Sequence, residues 1–462
     1  MKYSNNFPLI MSISCIAAMG SFLFGFDTGV INGTVGGLRL AFDSSLFVSS
    51  FNIASMLLGC GMGAFYSSWL SDRFGRRTML MVAAVLFIVS AAGSGIAYSS
   101  DEFILYRFIG GLAVGSVSVL VPMYIAEIAP AHYRGAYGTL QQFGIILGFL
   151  VVYTSNYLLV KLSGTSINEF WLGFETWRWM IWGELLPAII FFITLFWIPE
   201  SPRYLVVKGK NKLALKVLVK LYGQFLGEAK LLDISMSLSS DHSPRLSDLK
   251  SRETGKVHKV VWIGLFIATF QQFIGINVIF YYGSVLWELI GFSELNALFI
   301  NIIVACVAAT GCLIMIFLVD AWGRRPLLKM GSVVIFFTLL ALAFIFMNVE
   351  KDIYGVINLG HYKILTLVII NLYVFVFNLS WGPVVWIMLG EMFPNQLRGS
   401  ALAIVGLLHW VANFMVVMTF PLLLRSIGMG GVFSVYGGFT LISGVFVFYY
   451  LSETKEKELE EV

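Results

Sequence analysis

A single carboxylate stands in the middle of the first long apolar segment of the chain. Asp27 is the only charged residue between Pro8 and Arg39. A carboxylate at membrane depth is costly and normally marks a proton relay or an ion site. Arg107, in another apolar segment, is the candidate cation, and protonation of Asp27 would break the pair. We therefore predict that Asp27 couples proton uptake to a conformational transition. The alternative is a permanent Asp27–Arg107 bridge that only holds two helices together.

Uncharged polar side chains occupy another apolar segment, in which no charged residue occurs from Val260 to Trp287. Such side chains donate to and accept from hydroxyl groups, and an aromatic ring offers a flat surface to a C–H face. The pattern therefore suits a polyol such as a sugar better than an ionic substrate, although membrane helices also use amides to bond to one another. The candidates are Gln142, Gln271, Gln272, Asn277, Tyr281, Trp386 and Trp410.

Glycine and proline interrupt two of the apolar segments. Gly275 follows the glutamines of one segment, and Gly382-Pro383 lies inside a later one. Both motifs are expected to loosen a helix and to free backbone groups, which membrane proteins tolerate only beside a cavity or other protein. The interruptions therefore indicate a cavity or a protein contact at this depth.

The elements that must position these residues are membrane-spanning helices. The chain has 462 residues, of which 58% are hydrophobic and 12% charged, far from the composition of a soluble domain. A spanning helix needs about 20 mostly apolar residues, and the apolar runs are continuous, unlike the alternating strands of a membrane β-barrel. Twelve stretches are predicted to span: 9–37, 47–69, 78–98, 103–125, 136–160, 178–198, 259–289, 295–318, 326–347, 364–390, 400–425 and 432–451.

Two charged signatures each occur twice, in the same order. Asp72-Arg73-Phe74-Gly75-Arg76-Arg77 returns as Asp320-Ala321-Trp322-Gly323-Arg324-Arg325. A Glu-x-x-Pro-x-x-x-Arg-Gly pattern begins at Glu127 and again at Glu391. In so apolar a chain, this repeat indicates a duplicated membrane unit, and duplicated membrane units usually move solutes.

Positive charge is concentrated on one side of the predicted membrane. The stretch 200–257 holds the densest basic cluster, and the repeated Gly-Arg-Arg turns carry the next largest basic excess. Because cytoplasmic loops carry an excess of Lys and Arg, both termini, this stretch and the four signatures are predicted to be cytoplasmic. The predicted domains are a first six-helix bundle (1–198), a linker (199–258) with an amphipathic helix at 208–222 and a loose connector at 233–256, a second bundle (259–451) and a cytoplasmic tail (452–462).

The repeated signatures have a mechanical interpretation. Arginines in a short turn can bond to carbonyls at helix ends and can pair with glutamates on the same face. Such pairs would latch the two halves together on the cytoplasmic side and break when that side opens. The alternative is that these basic residues only follow the topology rule. The predicted latch residues are Asp72, Arg73, Arg76, Arg77, Glu127, Arg134, Glu200, Arg203, Asp320, Arg324, Arg325, Glu391, Arg398 and Glu453.

Several motifs, taken in order, resemble the sugar porters of the major facilitator superfamily over most of the chain. They are Asp72–Arg77, Pro199-Glu200-Ser201-Pro202-Arg203, Gln271-Gln272-Phe273-x-Gly275-x-Asn277, Ser380-Trp381-Gly382-Pro383 with Trp386, and Glu453-Thr454-Lys455. The resemblance implies two six-helix bundles that close alternately around a central site, and proton-coupled symport of a monosaccharide such as glucose or xylose. Symporters of the family have an acid at the position of Asp27. The resemblance also implies that Trp386 and Trp410 contact the sugar and that Phe24 forms a pocket wall.

Three positions depart from the family pattern and leave the identity of the sugar open. Ala308 stands where an asparagine is expected, and Phe149 stands where the xylose carrier has an amide. His409 precedes Trp410 at a position where an amide is more usual. His409 is predicted to be a hydrogen-bonding residue of the pocket.

The residue pattern favours no catalytic or cofactor chemistry. The five histidines are scattered, the four cysteines lie in apolar segments, and no Gly-rich phosphate loop follows a strand. We therefore predict no enzymatic activity, no metal site and no cofactor. The expected partners are a monosaccharide, the proton and membrane lipid, without nucleic acid, and the expected unit is a functional monomer in the cell membrane. The alternatives are a facilitative uniporter of the same fold and a transporter-like sugar sensor.

Overall fold

The computed structural model describes residues 6–130, 134–240, 249–250, 255–349, 359–393 and 395–454. Over these residues the chain is almost entirely helical, and one short hairpin supplies the strands. Ten helical stretches among them are long and apolar enough to cross a membrane. The predicted all-α membrane class is therefore confirmed.

The first half of the chain packs as a bundle in which α2 lies along α4 and α1 along α5. Small residues permit these approaches, because a Cβ added to Gly59 in α2 would lie 3.0 Å from the Cα of Gly111 in α4. Membrane helices use small residues in this way. The elements are α1 (Phe7–Ala41), α2 (Leu46–Phe74), α3 (Arg76–Ile96), α4 (Ser100–Ile128), α5 (Arg134–Ser163), β1 (Glu169–Trp171), β2 (Phe174–Glu175), α6 (Thr176–Trp182) and α7 (Leu185–Thr194).

Three helices lie between the halves: α8 (Pro202–Val207), α9 (Asn211–Tyr222) and α10 (Gln224–Ser240). α9 is amphipathic, since it buries Ala214, Leu218 and Leu221 while its lysines face outward. The C-terminal end of α9 is bonded to the first bundle, because the backbone N–H of Asn6, just before α1, donates to the Leu221 carbonyl at 3.1 Å. The expected loose connector is wrong for residues 233–240, which are helical. Residues 241–248 and 251–254 lie outside the described part of the chain.

The second half repeats this bundle, with α17 packed along α14 and α11. Its last element, α17, comprises two helices joined at Gly428, whose φ of 69° and ψ of 177° are not helical. The 56 residues of α17 therefore supply both of the last two predicted segments. The elements are α11 (Lys259–Phe273), α12 (Ile276–Leu289), α13 (Glu294–Trp322), α14 (Arg324–Met347), α15 (Tyr362–Leu379), α16 (Trp381–Met392) and α17 (Asn395–Tyr450).

The predicted helix 178–198 is interrupted in its hydrogen-bond pattern at Gly183 and Glu184, although both residues keep helical φ and ψ angles. α6 ends at Trp182 and α7 begins at Leu185, with Gly183 and Glu184 between them. Pro187 explains the break, because it has no N–H to donate to the carbonyl of the residue four positions earlier. The break holds Glu184 inside the protein, where 1% of its surface is exposed.

Two helices of the second half are interrupted at the predicted glycine and proline motifs. α11 and α12 meet at Gly275, which has φ 89°. The Tyr436 ring occupies the space into which a Cβ at this position would project. α15 and α16 meet at Ser380, with φ −131° and ψ −88°, three residues before Pro383. These interruptions face each other across the bundle.

Hydrogen bonds join the two interruptions. The Gln271 side-chain nitrogen donates to the carbonyls of Trp381 and Gly382, at 2.8 Å each. In the other direction, the Tyr373 hydroxyl donates to the Ile274 carbonyl at 3.0 Å. Backbone carbonyls at the start of α16 are therefore bonded by a side chain of α11, and the backbone carbonyl just after α11 is bonded by a side chain of α15.

Candidate functional site

The predicted ion pair of the first half is formed. Arg107 in α4 bonds through Nη1 to the Asp27 carboxylate in α1, and Nη2 donates to the Asp27 backbone carbonyl at 3.2 Å. Both side chains are enclosed, with exposed fractions of 0% for Asp27 and 1% for Arg107. Gly110 makes room for the carboxylate, because a Cβ there would lie 3.1 Å from Asp27 Oδ2.

A second carboxyl group lies beside this pair. Glu184, at the break between α6 and α7, is within hydrogen-bonding reach of Asp27. Neither Glu184 oxygen has a partner among the described residues, and neither does Asp27 Oδ2. Two carboxylates are both acceptors and cannot bond to each other, whereas a carboxyl that holds a proton can donate to its neighbour. Glu184 was not among the predicted residues, although a charged residue inside an apolar segment was a signal that could have identified it.

Four side chains of the second half form a chain of neutral hydrogen bonds. Gln272 Nε2 lies 3.2 Å and 3.3 Å from the two ring nitrogens of His409. The Asn277 amide donates to Gln272 Oε1 and, at 3.0 Å, to Asn413 Oδ1. The predicted residues Gln272, Asn277 and His409 are thus brought together, and Asn413 joins them without having been predicted.

Aromatic rings surround the His409 end of this chain. The His409 ring stands edge-on to Trp386, with centroids 4.9 Å apart, and to Trp410, 5.4 Å apart. Phe24 of the first half lies 5.6 Å from the Trp410 ring. Trp386 is 41% exposed, so part of its indole surface is free to meet a ligand. Flat apolar rings beside amides are what the binding of a polyol requires.

The remaining predicted binding residues take different positions. The side-chain nitrogen of Gln271 donates to carbonyls at the interruption between α15 and α16, while its side-chain oxygen is buried without a partner among the described residues. Gln142 in α5 is half-buried, and Tyr281 in α12 is almost fully enclosed. Gln271 therefore offers a free acceptor, and Tyr281 presents little surface to a ligand.

Two of the positions that depart from the family pattern have apolar surroundings. The Phe149 ring stacks on Phe280 of the second half, with centroids 5.0 Å apart at 27°. Tyr153, one turn after Phe149, donates its hydroxyl to the Phe280 carbonyl at 3.0 Å. Ala308 is buried in α13. Phe149 therefore joins the two halves through an aromatic contact.

Asn32, near the end of α1 that is far from the linker helices, holds the two halves together. Its amide donates to the Phe280 carbonyl at 2.9 Å, and its oxygen accepts from the Ser284 N–H at 2.9 Å and from the Asn301 amide at 2.8 Å. Asn301 in turn accepts from the indole N–H of Trp287 at 3.0 Å. We call these five residues the far-end clamp. It closes that end of the molecule with neutral groups, and it was not predicted from the sequence.

The charged signatures of the first half form one network. Arg76 pairs with Asp72 at 2.9 Å and with Glu127 at 3.1 Å. Glu200 Oε1 accepts the backbone N–H groups of Arg76 and Arg77, at 2.9 Å and 3.1 Å. These N–H groups begin α3, so a carboxylate stands at the positive end of a helix dipole.

The second half contains the same network. Arg324 pairs with Asp320 at 3.2 Å and with Glu391 at 2.8 Å. Glu453 accepts the backbone N–H groups of Arg324 and Arg325, at 3.0 Å and 2.9 Å, and thereby caps α14. The Glu453 carboxylate therefore has the role that Glu200 has in the first half.

The predicted pairs form within each half rather than between halves. Every ion pair between described residues joins groups of the same half, because each arginine turn and its glutamates lie on neighbouring helices of one bundle. The expected latch between halves is therefore not made by these pairs in this conformation. Arg203 lies near enough to Glu127 to act on its charge, and the Arg73 guanidinium lies over the Phe74 ring. The side chains of Arg134 and Arg398 lie outside the described residues.

Replacing Glu453 by glutamine is expected to destabilise the second half. The glutamine keeps one side-chain oxygen as an acceptor but loses the negative charge that interacts favourably with the first N–H groups of α14. The loss should lower the free energy of unfolding by about 1 kcal/mol. Glu200→Gln should have a similar effect through α3. Thermal unfolding in detergent would measure both, with Asp43→Asn, at an exposed carboxylate outside the network, as the control. Equal melting temperatures for Glu453→Gln and the control would contradict this expectation.

Helix bundles around a buried ion pair and an uncharged pocket define a membrane transporter of the major facilitator type. The family model described as "Sugar (and other) transporter" matches residues 13–462. The chain belongs to this family, and its twelve-helix fold in two six-helix bundles makes it an integral membrane protein.

The relatives cover the whole chain. It is 42% identical to the glucose transport protein of Synechocystis sp., over 99% of this chain and 97% of the relative. It is 36% identical to the D-xylose-proton symporter of Escherichia coli, over 100% of this chain and 96% of the relative. Among solved structures, the xylose transporter XylE from E. coli in a partially occluded inward open conformation has a TM-score of 0.83 at 35% identity, covering 97% of this chain and 99% of that chain.

Proposed function

We propose that the protein is a proton-coupled symporter that carries a monosaccharide into the cell by alternating access. The observation that carries the proposal is a buried Asp27–Arg107–Glu184 group in the same membrane protein as an uncharged pocket of amides and aromatic rings. The names of the relatives, a glucose transport protein and symporters of protons with D-xylose or arabinose, support it.

The three buried charged groups provide a site for one proton. One arginine balances one carboxylate, and a second carboxylate nearby without a further cation would be strongly disfavoured in a medium of low dielectric. Asp27 and Glu184 therefore share a proton in the state in which Arg107 is their only counter-charge. Loss or gain of a further proton changes which carboxyl group forms the ion pair with Arg107. The change alters the contacts that α1 and α4 make with each other and with the residues between α6 and α7.

The sugar is proposed to bind among the rings and amides described above. Trp386 and Trp410 present apolar surface to its C–H face, with Phe24 as a wall. Gln271 Oε1, buried and without a partner among the described residues, is a ready acceptor for a hydroxyl group. The further hydrogen-bonding residues are Gln142, Gln272, Asn277, His409 and, at the margin, Tyr281.

The contacts described above support the assignment of this conformation to the inward-facing state. The far-end clamp closes the end remote from the linker helices, and the basic residues of the linker favour a cytoplasmic location for the opposite end. The likeness to an inward open structure supports this assignment. In the proposed cycle, the units 1–198 and 259–451 move about the site, with the linker 199–258, the tail 452–462 and both termini cytoplasmic. The unit is proposed to be a monomer in the cell membrane.

A panel of radiolabelled monosaccharides in proteoliposomes tests the proposal. We expect uptake of at least one hexose or pentose, competed by its unlabelled form, and accumulation only when a pH gradient is imposed. With one proton per sugar, a gradient of one pH unit supports about tenfold accumulation, since that unit is worth about 1.4 kcal/mol. Uptake that never exceeds equilibrium under a gradient would indicate a facilitative uniporter, and no uptake or competition by any sugar would refute transport of monosaccharides.

A further inference from the structure

The hairpin β1–β2 folds back along the outside of α6. The ring of Trp171 packs on Trp179, and the ring of Phe174 packs on Trp182, each with centroids 5.1 Å apart. Trp179 also donates its indole N–H to the Trp171 carbonyl at 3.1 Å. Trp182 lies at the last residue of α6, about 9 Å along the axis from Thr176, the first. The tip of the hairpin therefore points along the helix toward the membrane.

The tip carries residue types that do not suit a turn in water. Leu172 and Gly173 connect the paired residues Trp171 and Phe174, with φ 56° and 75°. Positive φ at both turn positions favours Asn, Asp and Gly, and it is unfavourable for a bulky residue such as leucine. Leu172 is nevertheless 69% exposed, and Trp171 and Ile167 beside it are exposed as well.

The tip is continuous with an apolar stripe that runs the length of the broken helix. Trp197 is exposed at the opposite end of the stripe, 18 residues after Trp179. That separation is about 27 Å of helix, close to the roughly 30 Å of a hydrocarbon core. Tryptophan concentrates at both membrane interfaces. The exposed residues between the two ends are Leu186, Ile189, Ile190, Ile193 and Phe196.

We propose that the hairpin 169–175 is an interfacial anchor, with Trp171 and Leu172 inserted between the lipid headgroups of the leaflet remote from the linker. Pairing of β1 with β2 satisfies backbone groups within the hairpin, as a segment at this depth requires. Lipid is the occupant, rather than a second copy of the chain, because the tip extends the same surface that α7 presents to lipid.

A nitroxide label at position 172 tests the anchor. Leu172→Cys is labelled in the full chain, with the four native cysteines replaced by alanine and sugar uptake verified, in phospholipid nanodiscs. Labels at Leu186→Cys, on the lipid-facing stripe, and Asp101→Cys, in the exposed first turn of α4, give the two reference values. We expect the label at 172 to collide with dissolved oxygen more often, and with a water-soluble nickel chelate less often, than the label at 101, with both values lying between those at 101 and 186. Chelate access equal to that at 101 would overturn the proposal, and so would dipolar broadening between two labels, which would indicate paired copies.

Leu172→Asn provides a second test, because the substitution should change the melting temperature in opposite directions in water and in lipid. Asparagine tolerates positive φ better than leucine, so in water the substitution would stabilise the turn. In lipid it exchanges an apolar side chain for a polar one, and we expect the melting temperature in nanodiscs to fall. A melting temperature equal to or above that of the unmodified chain would overturn the anchor.

Discussion

Asp27→Asn is expected to abolish proton-driven accumulation of sugar while leaving exchange of sugar across the membrane. The asparagine has nearly the same shape and can still accept from Arg107, but it cannot take up or release a proton. Under a gradient of one pH unit, accumulation should drop from about tenfold to the equilibrium value. Sugar-dependent alkalinisation outside proteoliposomes and counterflow of labelled sugar would measure the two activities separately.

Asp101→Asn makes the same chemical change at an exposed residue in the first turn of α4 and should leave both activities intact. If Asp27→Asn still took up protons with sugar, Asp27 would not be the coupling group, and the pair with Arg107 would be only a structural bridge. Loss of counterflow together with accumulation would also count against a role limited to the proton, provided that the variant melts at the same temperature as the unmodified chain.

Asn32→Ala is expected to open the far end of the molecule. The variant removes the Asn32 bonds to the Ser284 N–H and the Asn301 amide, while the Phe280 carbonyl keeps its bond from Tyr153. Each buried polar group left unpaired costs about 1–3 kcal/mol. Water can reach these groups when the far end opens, so the penalty falls mainly on the closed form. A shift of about 3 kcal/mol would change the balance of the two forms roughly a hundredfold.

Nitroxide labels at Asp101→Cys and His361→Cys, on exposed surfaces of the two halves, would show the opening as a longer distance between them. Asn156→Ala is the matched control, because Asn156 is also buried but donates to the Val30 carbonyl within the first half, at 3.3 Å. An unchanged distance distribution in Asn32→Ala, with uptake at the level of the control, would show that the clamp does not hold the far end closed.

The charged residues of the site could be predicted from the sequence because charges are rare in so apolar a chain. Asp27 and Arg107 were predicted as partners from different segments, and the structure joins them. Glu184 was equally visible as a charge, but its proximity to Asp27 depends on the packing of α6 and α7 against α1. The local pattern of apolar residues does not show which helices pack together.

The far-end clamp could not be predicted from the sequence, for a different reason. Asn32 is a neutral residue in an apolar segment, and one of its partners is a backbone carbonyl, which every residue has. The arginine signatures show the same limit. Their partners were correctly proposed, but whether an arginine meets a glutamate of its own half or of the other half is decided by the packing of helices, which spacing along the chain does not encode.

The cross-bonds between the two interrupted helices restrict how the second half can deform. Gln271 ties the start of α16 to α11, and Tyr373 ties α15 to the end of α11 at Ile274. Each interruption would by itself act as an independent hinge. Joined in both directions, the four helical pieces resemble a linkage of rigid bars, in which a rotation at one hinge requires a rotation at the other. A displacement that begins at the amides of α11 would therefore reach Trp386 on α16 through rigid backbone.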